Sequence, residues 1–385
     1  MRKLLFVHDQ LPSEGISGQI IFLRHFLRLR DTEVHILIPQ NAYRADIVKD
    51  YPKNFIVHVF PLRKFWWPPS RESNSFLLLI RIFLLSLHFK QIIRNISPDA
   101  VITVLYHYFS ISLANAFPIQ GVTLTTFLHD SWMEKTNDSI EKQNRIKFGN
   151  RLLTKSNHIL SVTKELACLY SESIDDSKLH VHFPIPHGIE NSKLIWRDSY
   201  SNSINIVYAG TIESHHLIIF EKIAKAFNGT SNQFTIVSNG IEGCQFLLKY
   251  NPALILKAPF EKNQEVLEYM NDNASVILVN YGLNVTQNPY AASSFPSKFV
   301  EYCSLNIPII CIAPSSSPFY RFLKKNNWTL LFCDENQSNL ETQIYALKER
   351  DIWEKNAIQT SNIYKQYFES EMIQTQFESL IFEEE

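Results

Sequence analysis

A serine-rich loop that leads into a helical pattern carries residue types suited to phosphate chemistry. It reads Ser293-Ser294-Phe295-Pro296-Ser297-Lys298-Phe299-Val300-Glu301. Pro296 is typical of a first helical turn, and the amides and dipole of a helix start, together with Lys298, suit a diphosphate. Glu301, one turn further on, can accept hydrogen bonds from ribose hydroxyls. The alternative is a capping loop with a Lys298–Glu301 pair at i,i+3, which the spacing alone favours.

Two other loops follow predicted strands in the first half of the chain. Gly15 and Gly18 let backbone approach a ligand, and the helix after them presents free N–H groups; a plain connecting loop fits their spacing equally well. His129 and Asp130, with Trp132 nearby, end a buried strand. An imidazole there can bind a substrate hydroxyl, or it can cap a helix.

Signatures of several enzyme classes are absent from the sequence. There is no G-x-x-x-x-G-K-[ST], G-x-G-x-x-G, H-E-x-x-H or G-x-S-x-G, which disfavours P-loop ATPases, dinucleotide-dependent dehydrogenases, zincins and α/β-hydrolases. The five cysteines form no C-x-x-C and have no histidine at zinc-finger spacing, and no D-x-D cluster is visible. We therefore expect no metal site, no cofactor and a reducing, cytoplasmic compartment.

Short apolar runs alternate with helical patterns, which predicts two doubly wound α/β domains. The predicted strands of the first series are Lys3–His8, Glu33–Ile38, Phe55–Phe60, Ala100–Leu105, Val122–Leu128, His158–Val162 and Leu179–Phe183. After a polar stretch at 190–203 the pattern restarts, with strands over Ile204–Gly210, Gln233–Ser238, Ala253–Lys257, Ser275–Asn280, Ile307–Ile312 and Leu330–Cys333. From Asp351 to the end we predict a long amphipathic helix whose buried candidates include Trp353, Ile358, Met372 and Phe377.

The charge balance excludes one class of partner. The 385 residues include 37 Lys+Arg and 38 Asp+Glu, so the chain offers no basic excess to a nucleic acid backbone. The N-terminal apolar stretch is too short for a signal peptide, and the apolar run Phe76–Phe89 is too short to span a membrane. The segment Leu62–Arg71 combines basic residues with Trp66 and Trp67, as membrane-interface patches do, although a loop whose aromatics pack on the domain accounts for it slightly better.

Several of these stretches together resemble the two-domain GT-B glycosyltransferases of the family 4 type, which are retaining enzymes that use nucleotide-activated sugars. The match of highest specificity is Phe295–Tyr302 with Asn306–Ile310, which is similar to the family's PSKxxEYxxxGxPVI. Weaker matches are the Gly15–Gly18 loop, the stretch Lys155–Leu166, the turn Pro186-His187-Gly188-Ile189-Glu190 and the strand end Val207-Tyr208-Ala209-Gly210-Thr211.

The resemblance implies a GT-B fold, with two Rossmann-like domains that face a central cleft. It implies an acceptor-side domain over 1–195, a nucleotide-sugar-binding domain over 196–355, and a C-terminal helix over 356–385 that crosses back to the first domain. Donor-binding residues would be Gly15, Gly18, Gly210, Thr211, Pro296, Ser297, Lys298 and Glu301. His129 would face the transferred sugar and, with Lys298 and Glu301, serve catalysis, while Asp130 and Trp132 would lie on the acceptor side.

The implied activity is a metal-independent, retaining hexosyl transfer from a nucleotide-sugar to a glycan or lipid-linked acceptor. The expected pathway is cell-surface polysaccharide or lipopolysaccharide biosynthesis, in the cytoplasm with peripheral contact to the inner face of the membrane. Two departures from the family stand out: Ser293 replaces the first glutamate of its Glu-x7-Glu pair, and Thr211-Ile212-Glu213-Ser214-His215-His216 lacks its Arg and Lys. A catalytically silent module that binds a sugar nucleotide or a partner enzyme is therefore an alternative; a sugar-nucleotide epimerase is disfavoured because no set of acid/base carboxylates is identifiable.

Overall fold

The computed structural model describes residues 1–14, 18–61, 75–129, 131, 139–170, 174–188 and 194–382. The chain divides into two compact units. The first comprises Met1–Phe183 and the segment that begins at Glu371, and the second comprises Pro184–Ser370. The predicted elements Gly15, Asp130, Trp132, Glu190 and the Leu62–Arg71 patch lie outside the described residues.

A seven-stranded parallel sheet forms the centre of the first unit. Its strands lie in the order β3-β2-β1-β4-β5-β6-β7. They are β1 (Arg2–Val7), β2 (Thr32–Pro39), β3 (Phe55–Phe60), β4 (Ala100–Val104), β5 (Thr123–Leu128), β6 (His158–Ser161) and β7 (Leu179–Val181). The central strands are buried along most of their length, as strands are where helices cover both faces of a parallel sheet.

The helices of the first unit connect these strands in right-handed units. They are α1 (Gln19–Arg28), α2 (Ala45–Val48), α3 (Ser75–Ile96), α4 (Tyr108–Ile111), α5 (Ser139–Lys155) and α6 (Lys164–Cys168). One core cluster joins Phe6 on β1, Phe22 and Phe26 on α1 and Phe127 on β5. These aromatic rings fix α1, and with it the loop that precedes it, against the sheet.

The second unit has a six-stranded parallel sheet in the order β10-β9-β8-β11-β12-β13. Its strands are β8 (Asn205–Ala209), β9 (Gln233–Val237), β10 (Ile255–Lys257), β11 (Val276–Asn280), β12 (Ile309–Ile312) and β13 (Leu331–Phe332). Its helices are α7 (Leu217–Phe227), α8 (Asn263–Asn273), α9 (Ser297–Cys303), α10 (Pro318–Lys325), α11 (Leu340–Ala346) and α12 (Arg350–Ile363). The prediction of two doubly wound domains is confirmed, and every predicted strand is present with ends shifted by at most two residues.

The C-terminal segment corrects the prediction of one continuous helix. α12 passes into a π-helical turn at Tyr364–Phe368, the chain extends at Glu369, and α13 (Ser370–Phe382) follows. Phe377 and Ile381 of α13 lie in the core cluster of the first unit. Ile358 and Met372 are exposed rather than buried, because they lie off the buried faces of their helices, which carry Trp353 and Ala357 on α12 and Ile373 and Phe377 on α13.

The division between the units differs from the predicted limits at 195/196 and 355/356. Trp196 and Tyr200 pack on Trp353 of α12, with ring centroids 5.5 to 5.7 Å apart. The Trp353 indole donates to the Ser275 carbonyl at 2.7 Å. This aromatic cluster joins both the polar stretch after Leu194 and α12 to the second unit.

Each sheet reverses its strand order at one place, beside β1 and β4 in the first unit and beside β8 and β11 in the second. Doubly wound sheets bind ligands outside the carboxyl ends of the strands at this switch point. The loops after these four strands are therefore where each unit is expected to hold a ligand. Among the described helices, none has the length and apolar character needed to cross a membrane.

Candidate functional site

Gly210 and Lys298 meet at the carboxyl end of β8. Gly210 has φ +151°, and a Cβ added there would overlap the Lys298 ammonium. Lys298 is the second residue of α9, and the helix is tied to the strand end because the Tyr302 hydroxyl donates to the Ala209 carbonyl at 3.0 Å. Glycine at 210 therefore makes room for the lysine side chain that α9 brings to the strand end.

The Lys298 side chain is partly exposed, while its ammonium is largely surrounded by protein and has no anionic contact at bonding distance within the described residues. Its Nζ lies 5.6 Å from the centroid of the Tyr208 ring, which forms one wall. Within the described residues, Nζ forms no hydrogen bond and no ion pair. Burial lowers the Lys298 pKa to about 8, and the more distant Glu213 carboxylate opposes that shift. An anion at this position would recover the lost solvation of the ammonium.

Glu301 lies one helical turn after Lys298 and already holds part of the backbone. Its Oε2 accepts a hydrogen bond from the His187 amide at 2.8 Å. Gly188, the next residue of that turn, has φ +69°, a conformation that favours glycine. The turn that sequence analysis singles out at Pro186-His187-Gly188 is thus fixed to the α9 carboxylate.

The loop after β8 supplies two histidines that sequence analysis did not select as site residues. The Tyr208 hydroxyl donates to the Thr211 carbonyl at 2.6 Å, and the Glu213 amide donates to His216 Nδ1 at 3.0 Å. Burial lowers the His216 pKa to about 3, with the neighbouring His215 and Lys298 adding to the shift. His216 is therefore an uncharged structural residue that shapes the loop.

His215 lies at the switch point itself. Its ring rests on the backbone of Gly282, just after β11, where φ is +81° and an added Cβ would lie 3.0 Å from the ring Cδ2. Its Nδ1 is 3.5 Å from Glu213 Oε2. Burial lowers the His215 pKa, and Glu213 opposes the shift. The available signal in the sequence was a pair of histidines in the loop that follows the strand-terminal Gly210.

Ser293, at the position of the family's first glutamate, is only 2% exposed. It follows a short helical turn at Pro289–Ala292, and its amide donates to the Tyr290 carbonyl at 3.2 Å. Ser294 hydrogen-bonds the Tyr281 hydroxyl and the Tyr290 carbonyl. This serine pair lies inside the packed loop, so the uncharged residue at 293 fits its surroundings.

In the first unit the structure brings Gly18 and His129 together. Gly18 has φ +86°, and a Cβ added there would lie 3.4 Å from the His129 ring. Gly18 is also the N-cap of α1 and has no side chain with which to cap the helix. Gly18 thus lies against the histidine that follows β5, at the carboxyl edge of the sheet.

Sequence analysis missed a buried polar cluster at the first switch point. The Gln19 amide nitrogen, a donor only, lies 2.9 Å from His8 Nε2, so His8 carries its proton on Nδ1, 3.0 Å from Asp9 Oδ1. Burial raises the Asp9 pKa, but His8 and the nearby His107 outweigh it and lower the pKa to about 2. The signal was a histidine and an aspartate directly after the first buried strand.

Comparison with solved structures gives full-length matches for this arrangement. A glycosyltransferase from Rickettsia africae has a TM-score of 0.71 at 14% identity over 99% of this chain and 98% of that one. The lipopolysaccharide outer core galactosyltransferase WaaB gives 0.66 at 15% identity over 99% of both chains. HepE from Anabaena, solved with UDP-glucose, gives 0.65 at 12% identity over 98% of this chain and 99% of that one.

This chain has the GT-B fold. No protein-family model matches the sequence, and no curated protein matches it significantly. Identities of 12 to 15% over whole chains establish architecture without establishing chemistry. What the GT-B fold does in this chain has to be argued from the residues at the two switch points.

Proposed function

We propose that this chain is a retaining glycosyltransferase of the hexosyltransferase type. It would move a sugar from a nucleotide-sugar to a glycan or lipid-linked acceptor in cell-surface polysaccharide or lipopolysaccharide biosynthesis. The observation that carries the proposal is the largely surrounded Lys298 ammonium, which has no hydrogen bond or ion pair within the described residues and lies over Gly210 at the switch point of a GT-B fold. A donor diphosphate supplies the missing anion.

The proposed donor site uses residues of α9 and of the β8 loop. Lys298 binds the diphosphate, with the backbone of Gly210, Thr211 and Ser297 beside it. Glu301 accepts hydrogen bonds from the ribose hydroxyls while its Oε2 keeps the His187 amide, because a carboxylate has about four acceptor positions. Pro296 fixes the backbone at the start of α9.

From the first unit, we propose that His129 contacts the transferred sugar and that Gly15 and Gly18 approach the phosphates. Asp130 and Trp132 are proposed for the acceptor side; together with Gly15 they lie outside the described residues. In the proposed front-face displacement the acceptor oxygen bonds the anomeric carbon on the side from which the diphosphate oxygen leaves. That leaving oxygen takes the acceptor proton, so no protein nucleophile is required. The protein orients the reactants and stabilises charge on the diphosphate.

A thermal-shift screen against UDP-, GDP-, ADP- and dTDP-sugars tests the donor site. A ligand that binds only the folded state raises the melting temperature. We expect one nucleotide to raise it, with the shift lost in Lys298→Ala and Glu301→Ala and retained in Lys222→Ala, a lysine on α7. No shift with any donor would contradict the proposal.

A silent module is the second candidate, favoured by the buried Ser293 and by the loop that places Glu213 and His215 where the family has Arg and Lys. Donor hydrolysis or transfer to an acceptor extract separates the two. Binding without turnover, in protein that keeps its nucleotide-dependent thermal shift, would favour the silent module.

Metal independence is part of the proposal and has its own test. Lys298 would supply the positive charge that a divalent cation provides in other transferases. We expect EDTA to leave the transfer rate unchanged. Loss of the rate on chelation, with recovery on adding Mg²⁺ or Mn²⁺, would contradict this part.

For the membrane contact we propose that α3 acts with the Leu62–Arg71 patch that precedes it. α3 carries Arg81, Lys90 and Arg94 and no acidic residue, and it exposes a stripe of apolar side chains: Leu79, Ile80, Phe83 and Leu87. This composition suits a surface of anionic phospholipids.

We expect the wild type to float with anionic liposomes, and recovery to fall in Trp66→Ala/Trp67→Ala and in Phe83→Ser/Leu87→Ser. The control is Ile358→Ser, an exposed isoleucine on α12. Equal recovery of all proteins would remove the membrane contact.

A further inference from the structure

A diphosphate carries more negative charge than Lys298 alone offsets at the second switch point. Lys298 contributes one positive charge, and the exposed Glu213 carboxylate acts on it only weakly through solvent. His216 is uncharged, because burial lowers its pKa to about 3 and its Nδ1 accepts from the Glu213 amide. A diphosphate bound beside Lys298 would therefore favour the uptake of a further proton nearby.

His215 is the group in position to take up that proton. Its ring lies between the loop after β8 and Gly282 after β11, which are the two loops of the switch point. Gly282 is required there, since its φ of +81° favours glycine and any Cβ would press on the ring. Its Nδ1 faces Glu213 at 3.5 Å, and its Nε2 forms no hydrogen bond within the described residues.

The contact with Glu213 orients the His215 ring, but the carboxylate attracts a proton to the ring only weakly. The Glu213 side chain is 58% exposed, so solvent weakens its attraction for a proton on His215. The titratable groups that contact the imidazole are Glu213 and His216 from its own loop, while Lys298 of α9 acts on the neighbouring His216. Burial lowers the His215 pKa, so an anion bound beside the ring would favour its protonation.

We propose that His215 takes up a proton when the donor diphosphate binds and then donates Nε2–H to a phosphate oxygen, with Nδ1–H held by Glu213. The inference rests on the proposed function. His215 thereby replaces the permanently charged Arg and Lys of the resembled family with a cation that forms only on binding. Donor affinity must then increase as the pH falls, because binding and protonation favour one another.

The test is isothermal titration calorimetry with the nucleotide-sugar selected by the thermal-shift screen. A diphosphate esterified at both ends has no terminal phosphate that titrates near pH 6, unlike UDP itself. Titrations in two buffers of different ionisation enthalpy give the number of protons taken up on binding. Proton uptake is compared at pH 6, about two units below the Lys298 pKa of about 8, where that ammonium is already protonated.

We expect wild-type affinity to be about tenfold higher at pH 5.5 than at pH 7.5. His215→Gln should show less than a twofold change and no proton uptake. His215→Arg should bind with nearly pH-independent affinity, which also shows that the site is intact. His180→Gln, a histidine of the first unit, should behave as the wild type.

The possible results distinguish a failure of the role proposed for His215 from a failure of the proposed function. Proton uptake that persists in His215→Gln would overturn the role of His215 and leave nucleotide binding in place. Wild-type affinity that does not vary with pH would overturn it as well. A wild type that binds none of the four nucleotide-sugars would overturn the proposed function together with this inference.

Discussion

At the first switch point the Asp9 carboxylate lies 3.0 Å from His8, and His8 is held in turn by Gln19. At the second switch point, by contrast, the Lys298 ammonium has no hydrogen-bond acceptor within the described residues. Burial opposes both charges. In the first unit neighbouring histidines outweigh burial and lower the Asp9 pKa to about 2. In the second unit burial prevails and lowers the Lys298 pKa to about 8.

The difference separates a structural charge from a binding charge. A buried carboxylate whose neighbours lower its pKa stabilises the native state in its charged form, whereas a buried ammonium whose pKa is lowered by burial destabilises it until an anionic ligand binds. Asp9 belongs to the first kind and Lys298 to the second. The nucleotide is therefore expected at the second switch point, and the following predictions test that assignment.

The largest expected effect is on nucleotide affinity. Lys298→Met should lower affinity for the selected nucleotide-sugar by about 100-fold, because it removes a charge-assisted contact. Asp9→Asn should change it by less than about twofold, since Asp9 has a partner within its own unit. Calorimetry or thermal shift measures both. A loss in Asp9→Asn as large as that in Lys298→Met would end the distinction between the two places.

A smaller loss of affinity is expected for Gly210→Ala. The new Cβ would displace the Lys298 ammonium and would strain a backbone with φ +151°, so affinity should fall by about 30-fold. Gly229→Ala is the matched control, because Gly229 also has positive φ, at +71°, but open space around it. The control should lose some stability and keep its affinity. Equal affinities in the two variants would show that the space at Gly210 is not needed.

Lys298→Met should also stabilise the unliganded protein. A lysine whose folded pKa is lowered destabilises the folded state at pH values below that pKa, and this cost disappears as the pH rises through the unfolded value. The variant should gain about 2 kcal/mol in the free energy of unfolding at pH 7, and the gain should vanish toward pH 10.5. Denaturant unfolding at both pH values measures it. A destabilised variant would mean that Lys298 already has an anionic partner.

Asp9 should show the opposite dependence, with an effect of about 2 kcal/mol. Its folded pKa is lowered, so its contribution to stability is present above pH 4 and is lost as the pH falls through about 2. Acid unfolding of the wild type and of Asp9→Asn should therefore converge between pH 4 and pH 2. Parallel curves would indicate that His8 does not stabilise the Asp9 carboxylate.

Sequence reasoning predicted the fold for physical reasons, and it selected part of the candidate site. The strands of both sheets are largely apolar runs bounded by polar loops, and that pattern is local. Lys298 and Glu301 were selected through the resemblance to the family's motif, because their spacing alone favoured a capping pair. His8, Asp9 and His215 were missed because their neighbours come from elsewhere in the chain: Gln19 and His107 for the first two, and Gly282 for the third.

The C-terminal segment and the charges show where local pattern stops being sufficient. The sequence by itself determined two parallel α/β sheets, the loops at their carboxyl edges, and the residue types available there. Only the tertiary structure decided that the last helix breaks at Glu369, that Asp9 has a partner, and that Lys298 lies over Gly210 with no such partner among the described residues. Periodicity is a property of neighbours along the chain, whereas burial and pairing of charge depend on strands that the fold brings together from distant positions.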